Sequence, residues 1–180
     1  MKKTLYLKFL LAYVIFGIFG FIIISVFVPK LTVEQLTREK ANTLYSEATL
    51  IADRYGSGLY TSDTSLESVK NQLDALSVYL DSDIWIINPS GRMVLTTEYP
   101  LNVDEVVIIE NFDPTLTANS YYNVSNFFNY YDEAMLNVIA PITTNYKVNG
   151  YVVIHASMAS VYESSNSLLT ISYITMCILF

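Results

Sequence analysis

The chain of 180 residues is poor in the residue types that most chemistry needs. It has one cysteine, Cys177, which excludes an internal disulfide and any zinc site built from cysteines. It has one histidine, His155, so no pair of histidines can hold a metal. Lys and Arg number 10 against 17 acids, which argues against a nucleic-acid-binding domain, since polyanions need gathered positive charge. No G-x-S-x-G, H-E-x-x-H, phosphate-binding glycine loop or D-x-D-x-D-G calcium loop occurs. What is present in excess is apolar: 52% of residues are hydrophobic, with 15 Tyr, 9 Phe and a Trp, too many for a disordered chain.

The apolar excess lies at the two ends, which argues against a plain cytosolic enzyme. Residues 9–28 run for 20 positions without a charge. At about 1.5 Å per residue this is roughly 30 Å of helix, the thickness of a bilayer's hydrocarbon core. A signal peptide is the rival reading, but its apolar region is shorter and ends in small residues, unlike Val26-Phe27-Val28. Lys2, Lys3 and Lys8 precede the run with no acid nearby, which predicts residues 1–8 in the cytoplasm and the residues after the span outside. Residues 168–180 are uncharged and apolar but too few to span. The expectation is a second transmembrane helix begun here and cut inside it; the alternative is a short amphipathic tail.

Between the spans, residues 29–167 hold all 17 acids and 7 of the 10 bases, a net charge of −10. The acids are scattered, as on a solvated surface, although an acidic face that attracts cations or cationic peptides is the alternative. Pro29 is expected to interrupt or kink the helix leaving the membrane. Capping boxes begin at Thr32, Thr64 and Ser160. Leu36, Leu44, Ala48, Ile51, Ala52 and Tyr55 recur at helical spacing, predicting an amphipathic helix over 33–55; Leu66, Val69, Leu73, Leu76 and Leu80 predict a second. The period then becomes two. Ile84-Trp-Ile-Ile-Asn88 and Met93-Val-Leu-Thr-Thr97 read as a hairpin around the turn Asn88-Pro-Ser-Gly91. Residues 106–109 suggest a short apolar element, residues 121–131 a strand with a loop, and residues 135–143 and 150–158 two further strands. The expected fold is α+β: one antiparallel sheet of about five strands with helices on one side.

Candidate ligand-contacting residues are Trp85, Tyr130, Tyr151 and His155. Tyr151, Val153, His155 and Ser157 share one face of the last strand, and the wholly apolar Val152, Ile154, Ala156 and Met158 share the other, which should lie against the helices. His155 reads first as a partly exposed side chain on the outer face; a wall of a small-molecule cavity shared with Trp85 is the functional alternative. Trp85 is core or an aromatic pocket wall. Tyr121, Tyr122, Tyr130 and Tyr131 either cap such a pocket or pack a loop beneath the sheet. Asn123-Val-Ser125 has the form of a glycosylation sequon, a triplet common by chance.

Two membrane segments around such a domain resemble the sensory half of bacterial sensor histidine kinases, and the outer domain resembles the single Cache (PDC-type, PAS-like) fold. Asp83-Ile-Trp-Ile-Ile-Asn-Pro-Ser-Gly-Arg-Met-Val-Leu95 is similar to that family's first hairpin. Val138-Ile-Ala-Pro-Ile142 and Gly150-Tyr-Val-Val-Ile-His-Ala-Ser-Met158 are similar to its late strands. The Arg-Trp-Tyr cluster of amino-acid-binding members is absent, since no Arg precedes Trp85.

The resemblance implies a cytoplasmic segment 1–8, a transmembrane helix 9–28, an extracytoplasmic Cache-like sensor domain 29–167 and the start of a second transmembrane helix at 168–180. It implies a homodimer through the helix 33–55, a small-molecule or peptide signal, contact with membrane lipid, and a response regulator reached through a cytoplasmic part. No cofactor is expected in this segment; ATP and Mg belong to the expected kinase region, and no nucleic acid is expected. A chemoreceptor or diguanylate cyclase could carry the same outer half. A membrane-anchored binding protein without an output domain, and a secreted enzyme freed by cleavage, are readings of a different class.

Overall fold

The computed structural model describes residues 2–56, 58, 65–100, 106–117 and 120–179. The chain divides into two compact units, one formed by Met1–Arg38 with Ala159–Phe180, the other by Glu39–Met158.

Helix α1 runs Lys2–Ile51 without a break and is followed by a π-helical turn, Ala52–Gly56. Pro29 lies inside it, so the expected interruption does not occur, and Thr32 is an interior residue instead of a cap. An interior proline removes one backbone hydrogen bond and crowds the carbonyl four residues back, at a cost of about 3 kcal/mol. That cost is local, and the helix continues on both sides of Pro29. Within α1, one stretch from Tyr6 is long and apolar enough to cross a membrane. In the terminal unit, Phe21 of α1 and Tyr173 of helix α3 (Ala159–Leu179) stand 5.9 Å apart between ring centroids. Ser160 lies one residue inside α3 and is therefore not its cap.

In the second unit, Ala41, Leu44, Ala48, Ile51 and Ala52 form one buried face, which adds Ala41 to the predicted stripe. Helix α2 (Leu66–Leu80) is capped by Ser65, whose Oγ accepts from Ser68 N at 3.3 Å. Thr64, the expected cap, lies outside the described residues. The helix ends at Asp81 in the left-handed conformation, φ 50°. Val69 and Leu73 are fully buried, and Leu76 is half-buried on the same stripe.

Five strands come next: β1 Ser82–Ile87, β2 Met93–Thr96, β3 Tyr122–Ser125, β4 Met135–Thr144 and β5 Lys147–Ser157. They form one antiparallel sheet in the order β2-β1-β5-β4-β3, the α+β architecture expected. The β1–β2 turn closes with Gly91 N donating to Asn88 O at 3.0 Å. Asn88 Oδ1 accepts from the backbone of Ser90 and of Arg92, and so fixes the turn from its first residue. Residues 106–109 do lie beside it, with Ile108 bridged to Arg92. The β4–β5 connection is tighter than predicted: Asn145 and Tyr146, at φ 52° and 62°, make a two-residue turn.

Helix α2 packs on β1 and β2, and the π turn on β4 and β5. Ile84, Ile86, Leu136, Val138, Val152, Ile154 and Ala156 are buried on one face of the sheet. The other face is not open to solvent. Trp85, Ile87, Ile109, Phe127, Ile139 and Val153 form a second core there, made by segments 109–112 and 127–131 folding across the strands.

Candidate functional site

The strand register sets a polar row across this second face. Asp83 on β1 faces His155 on β5, His155 faces Asn137 on β4, and Asn137 faces Asn123 on β3. His155 and Asn137 are both completely buried. His155 Nδ1 and Asn137 Oδ1 are 2.7 Å apart. Asn137 Nδ2 is within 3.0–3.1 Å of Asn123 Oδ1, Ser125 O, Ser125 Oγ and Met135 O. A partly exposed His155 is therefore corrected: its strand face is mixed in polarity, but residues 126–131 cover it. Burial disfavours the imidazolium and pushes the pKa of His155 down to about 3.

Rings surround the imidazole. Trp85 lies at 4.3 Å between centroids, Phe127 at 4.4 Å and Tyr131 at 5.1 Å. Trp85 also meets Tyr130 edge-on at 4.6 Å and stacks with Tyr131 at 5.7 Å. Trp85 Nε1, Tyr131 Oη and His155 Nε2 are buried with no hydrogen-bonding partner among the described residues. Such atoms are uncommon in folded proteins and are the usual partners of an ordered water or a bound ligand.

The cover is built from β3 outward. Ser125 Oγ accepts from Phe127 N at 3.3 Å, Phe127 O accepts from Tyr130 N, and Asn126 O accepts from Tyr131 N, both at 3.1 Å. Phe127, Phe128 and Asn129 all have positive φ, 43°, 54° and 61°. A bulky L-residue in this region is strained by about 1–2 kcal/mol. The burial of Phe127 against Trp85 and His155 offsets that cost.

At the rim, Tyr130 donates from its hydroxyl to Glu98 Oε2 at 3.1 Å. Desolvation raises the pKa of Glu98, with Asp83 adding to the effect, and raises that of Asp83, with Asp81 adding. The Tyr130 and Tyr131 hydroxyls are pushed well above the usual phenol range, first by burial and then by these carboxylates.

The structure thus brings Trp85, Tyr130 and His155 together. Tyr151 packs at the margin of the same core, half-buried with its ring 5.8 Å from Phe112. Tyr121 and Tyr122 leave the site altogether: Tyr121 packs on Tyr45 at 4.8 Å and its hydroxyl bonds Asn42. Neither Trp85 nor His155 is among the residues lining the nearby cavity. A cavity of about 260 Å³ beside them is lined by Ile108, Ile109, Glu110, Asn111, Phe128, Asn129 and Tyr130. Asn137 was invisible to motif reasoning; its one signal is an amide inside an apolar strand, in register with the only histidine. Among the described residues no group of three His, Cys, Asp or Glu side chains could hold a metal.

No protein-family model and no curated protein matches the chain. Solved structures do. The sensor domain of the V. cholerae histidine kinase DctB matches with a TM-score of 0.50 at 14% identity, over 76% of this chain and 57% of that one. The ligand-binding domain of the Campylobacter jejuni chemoreceptor Tlp3, solved in complex with L-valine, matches at 0.51 and 9% identity, over 75% of this chain and 60% of that one. The chain spans less than two thirds of either structure. At these identities the likeness establishes the fold, and it is the PAS-like Cache fold implied by the resemblance.

Proposed function

We propose that this chain is the extracytoplasmic sensing and transmembrane region of a two-component sensor histidine kinase. The observation that carries the reading is α1. One helix holds an apolar run long enough to cross a membrane and also the Ala41, Leu44, Ala48 and Ile51 face buried in a domain of sensor-type fold. The three lysines before the run favour a cytoplasmic N-terminus, with residues 29–167 outside. Residues 9–28 are the first span and residues 168–180 the start of the second. The signal is a small molecule held at Trp85, Tyr130 and His155 beneath the 126–131 segment, with Tyr151 at the margin. Its binding favours one arrangement of α1 relative to α3, and the shifted population is read beyond the membrane. The protein acts as a homodimer through residues 33–55. ATP, Mg and the response regulator engage the cytoplasmic kinase region. The likeness to the chemoreceptor domain supports a second reading, in which the same sensing half drives a chemoreceptor output.

Two measurements test this. A membrane-impermeant maleimide should label Ser90→Cys, placed in a Cys177→Ser background, on intact cells. Residues 1–180 joined to the cytoplasmic half of a characterised histidine kinase should change autophosphorylation when amino acids, amines and amides are offered. Labelling only after lysis, or a chimera that no compound moves, would overturn the proposal.

A further inference from the structure

The hydrogen-bonding of Asn137 fixes the tautomer of His155. The Asn137 amide nitrogen faces four oxygens, of which Asn123 Oδ1, Ser125 O and Met135 O can only accept. Flipping the amide would set its oxygen against all of them. Asn137 Oδ1 is therefore the atom facing His155, and His155 Nδ1 must carry the proton it donates. His155 Nε2 is left with a bare lone pair, buried and without a partner among the described residues. Beside it lie two more orphans of known character. The Trp85 indole N–H can only donate, and the Tyr131 hydroxyl can do either. The three rings are mutual neighbours, with every centroid pair within 5.7 Å.

We propose that Trp85 Nε1–H, Tyr131 O–H and His155 Nε2 together bind an uncharged ligand group presenting both a hydrogen-bond donor and an acceptor, as a primary carboxamide does. This deepens the sensor reading of the same site and rests on it. A carboxylate only accepts; it would face the His155 lone pair and add negative charge near Asp83 and Glu98, neither of which forms an ion pair with a base among the described residues. An ammonium only donates; it would leave the Trp85 N–H unmet and place an ion among buried aromatic rings. A neutral amide meets all three: its N–H₂ donates to His155 Nε2, and its oxygen accepts from Trp85 and Tyr131. Phe127 covers the set, so the strained turn at Phe127, Phe128 and Asn129 is the part that must lift to admit the ligand.

The test uses the whole chain in lipid nanodiscs with ¹⁵N-labelled histidine. At neutral pH, His155 should show the Nδ1–H tautomer. Isobutyramide should move the Nε2 resonance upfield, as acceptance of a hydrogen bond does, while its isosteres isobutyrate and isobutylammonium should leave it in place. Tyr131→Phe and Trp85→Phe should each weaken isobutyramide binding about fivefold, the worth of one hydrogen bond. Tyr131→Phe retains the ring, so it serves even if the tryptophan variant folds poorly. An Nε2–H tautomer, a response to isobutyrate equal to that of the amide, or no response to any of the three overturns the assignment. If the kinase chimera still answers another compound, the ligand class alone has failed; if the chimera is silent as well, the sensor reading has failed with it.

Discussion

His155 Nδ1 donates to Asn137 Oδ1 at 2.7 Å, and neither side chain is reached by solvent. The pair joins β4 to β5 in the middle of the sheet, and the rest of the aromatic site is built against it.

The first consequence is a pH dependence. The folded-state pKa of His155, about 3, lies below the ordinary value of 6.5. Between these values the unfolded chain binds one more proton than the folded one. The stability due to neutral burial is therefore complete above pH 6.5 and falls as pH drops towards 3, by about 1.4 kcal/mol per pH unit. Asp83 and Glu98, with raised pKa values, act in the opposite sense. Comparing wild type with His155→Gln isolates the histidine: between pH 6.5 and 5, wild type should lose about 2 kcal/mol more in chemical denaturation. Parallel pH profiles would refute this.

Asn137→Ala should strip partners from His155 Nδ1–H and from the oxygens on β3 that Asn137 Nδ2 serves. A loss of about 2–4 kcal/mol is expected, since several buried groups go unsatisfied at once. In a double-mutant cycle with His155→Phe the two changes should couple by about 1–2 kcal/mol, whereas strict additivity would deny that the pair acts as a unit.

Gly91 sits at φ +83°, and a Cβ there would come within 2.8 Å of both Ile109 O and Phe112 Cβ. Gly91→Ala should cost about 2–3 kcal/mol, through strain and through displacement of the segment that covers the second core. A melting temperature unchanged from wild type would show that the segment can yield.

Tyr146→Gly should do the reverse. Asn145 and Tyr146 hold a turn in which both residues have positive φ, and Tyr146 is fully exposed, with no packing to lose. Asn-Gly is the preferred pair for such a turn, so a gain of about 1 kcal/mol is expected in thermal unfolding. A destabilised variant would point to a structural role for the ring.

Much of the fold was legible in local pattern. The period-two runs marked β1, β2, β4 and β5, and Asn88-Pro-Ser-Gly91 marked its turn. The alternation in β5 separated Val152, Ile154 and Ala156 from Val153 and His155. Of the interruption or kink expected at Pro29, the interruption does not occur, because a single proline removes only one bond from a long helix. His155 misled for a different reason. Its face is mixed in polarity, and its burial comes from residues 126–131, which no pattern within the strand can announce.

Two apolar ends, an acidic middle, the strand and helix periods and the lack of catalytic motifs are all written along the chain, because each depends on near neighbours. Tertiary packing alone set Asp83, His155, Asn137 and Asn123 in one row and made the second face of the sheet a core. It also left Trp85, Tyr131 and His155 each with a buried polar atom that has no partner among the described residues. Those facts depend on strand register and on loops closing over distant strands. Both are set by which buried faces fit together across the whole domain, a competition that no short stretch of sequence contains.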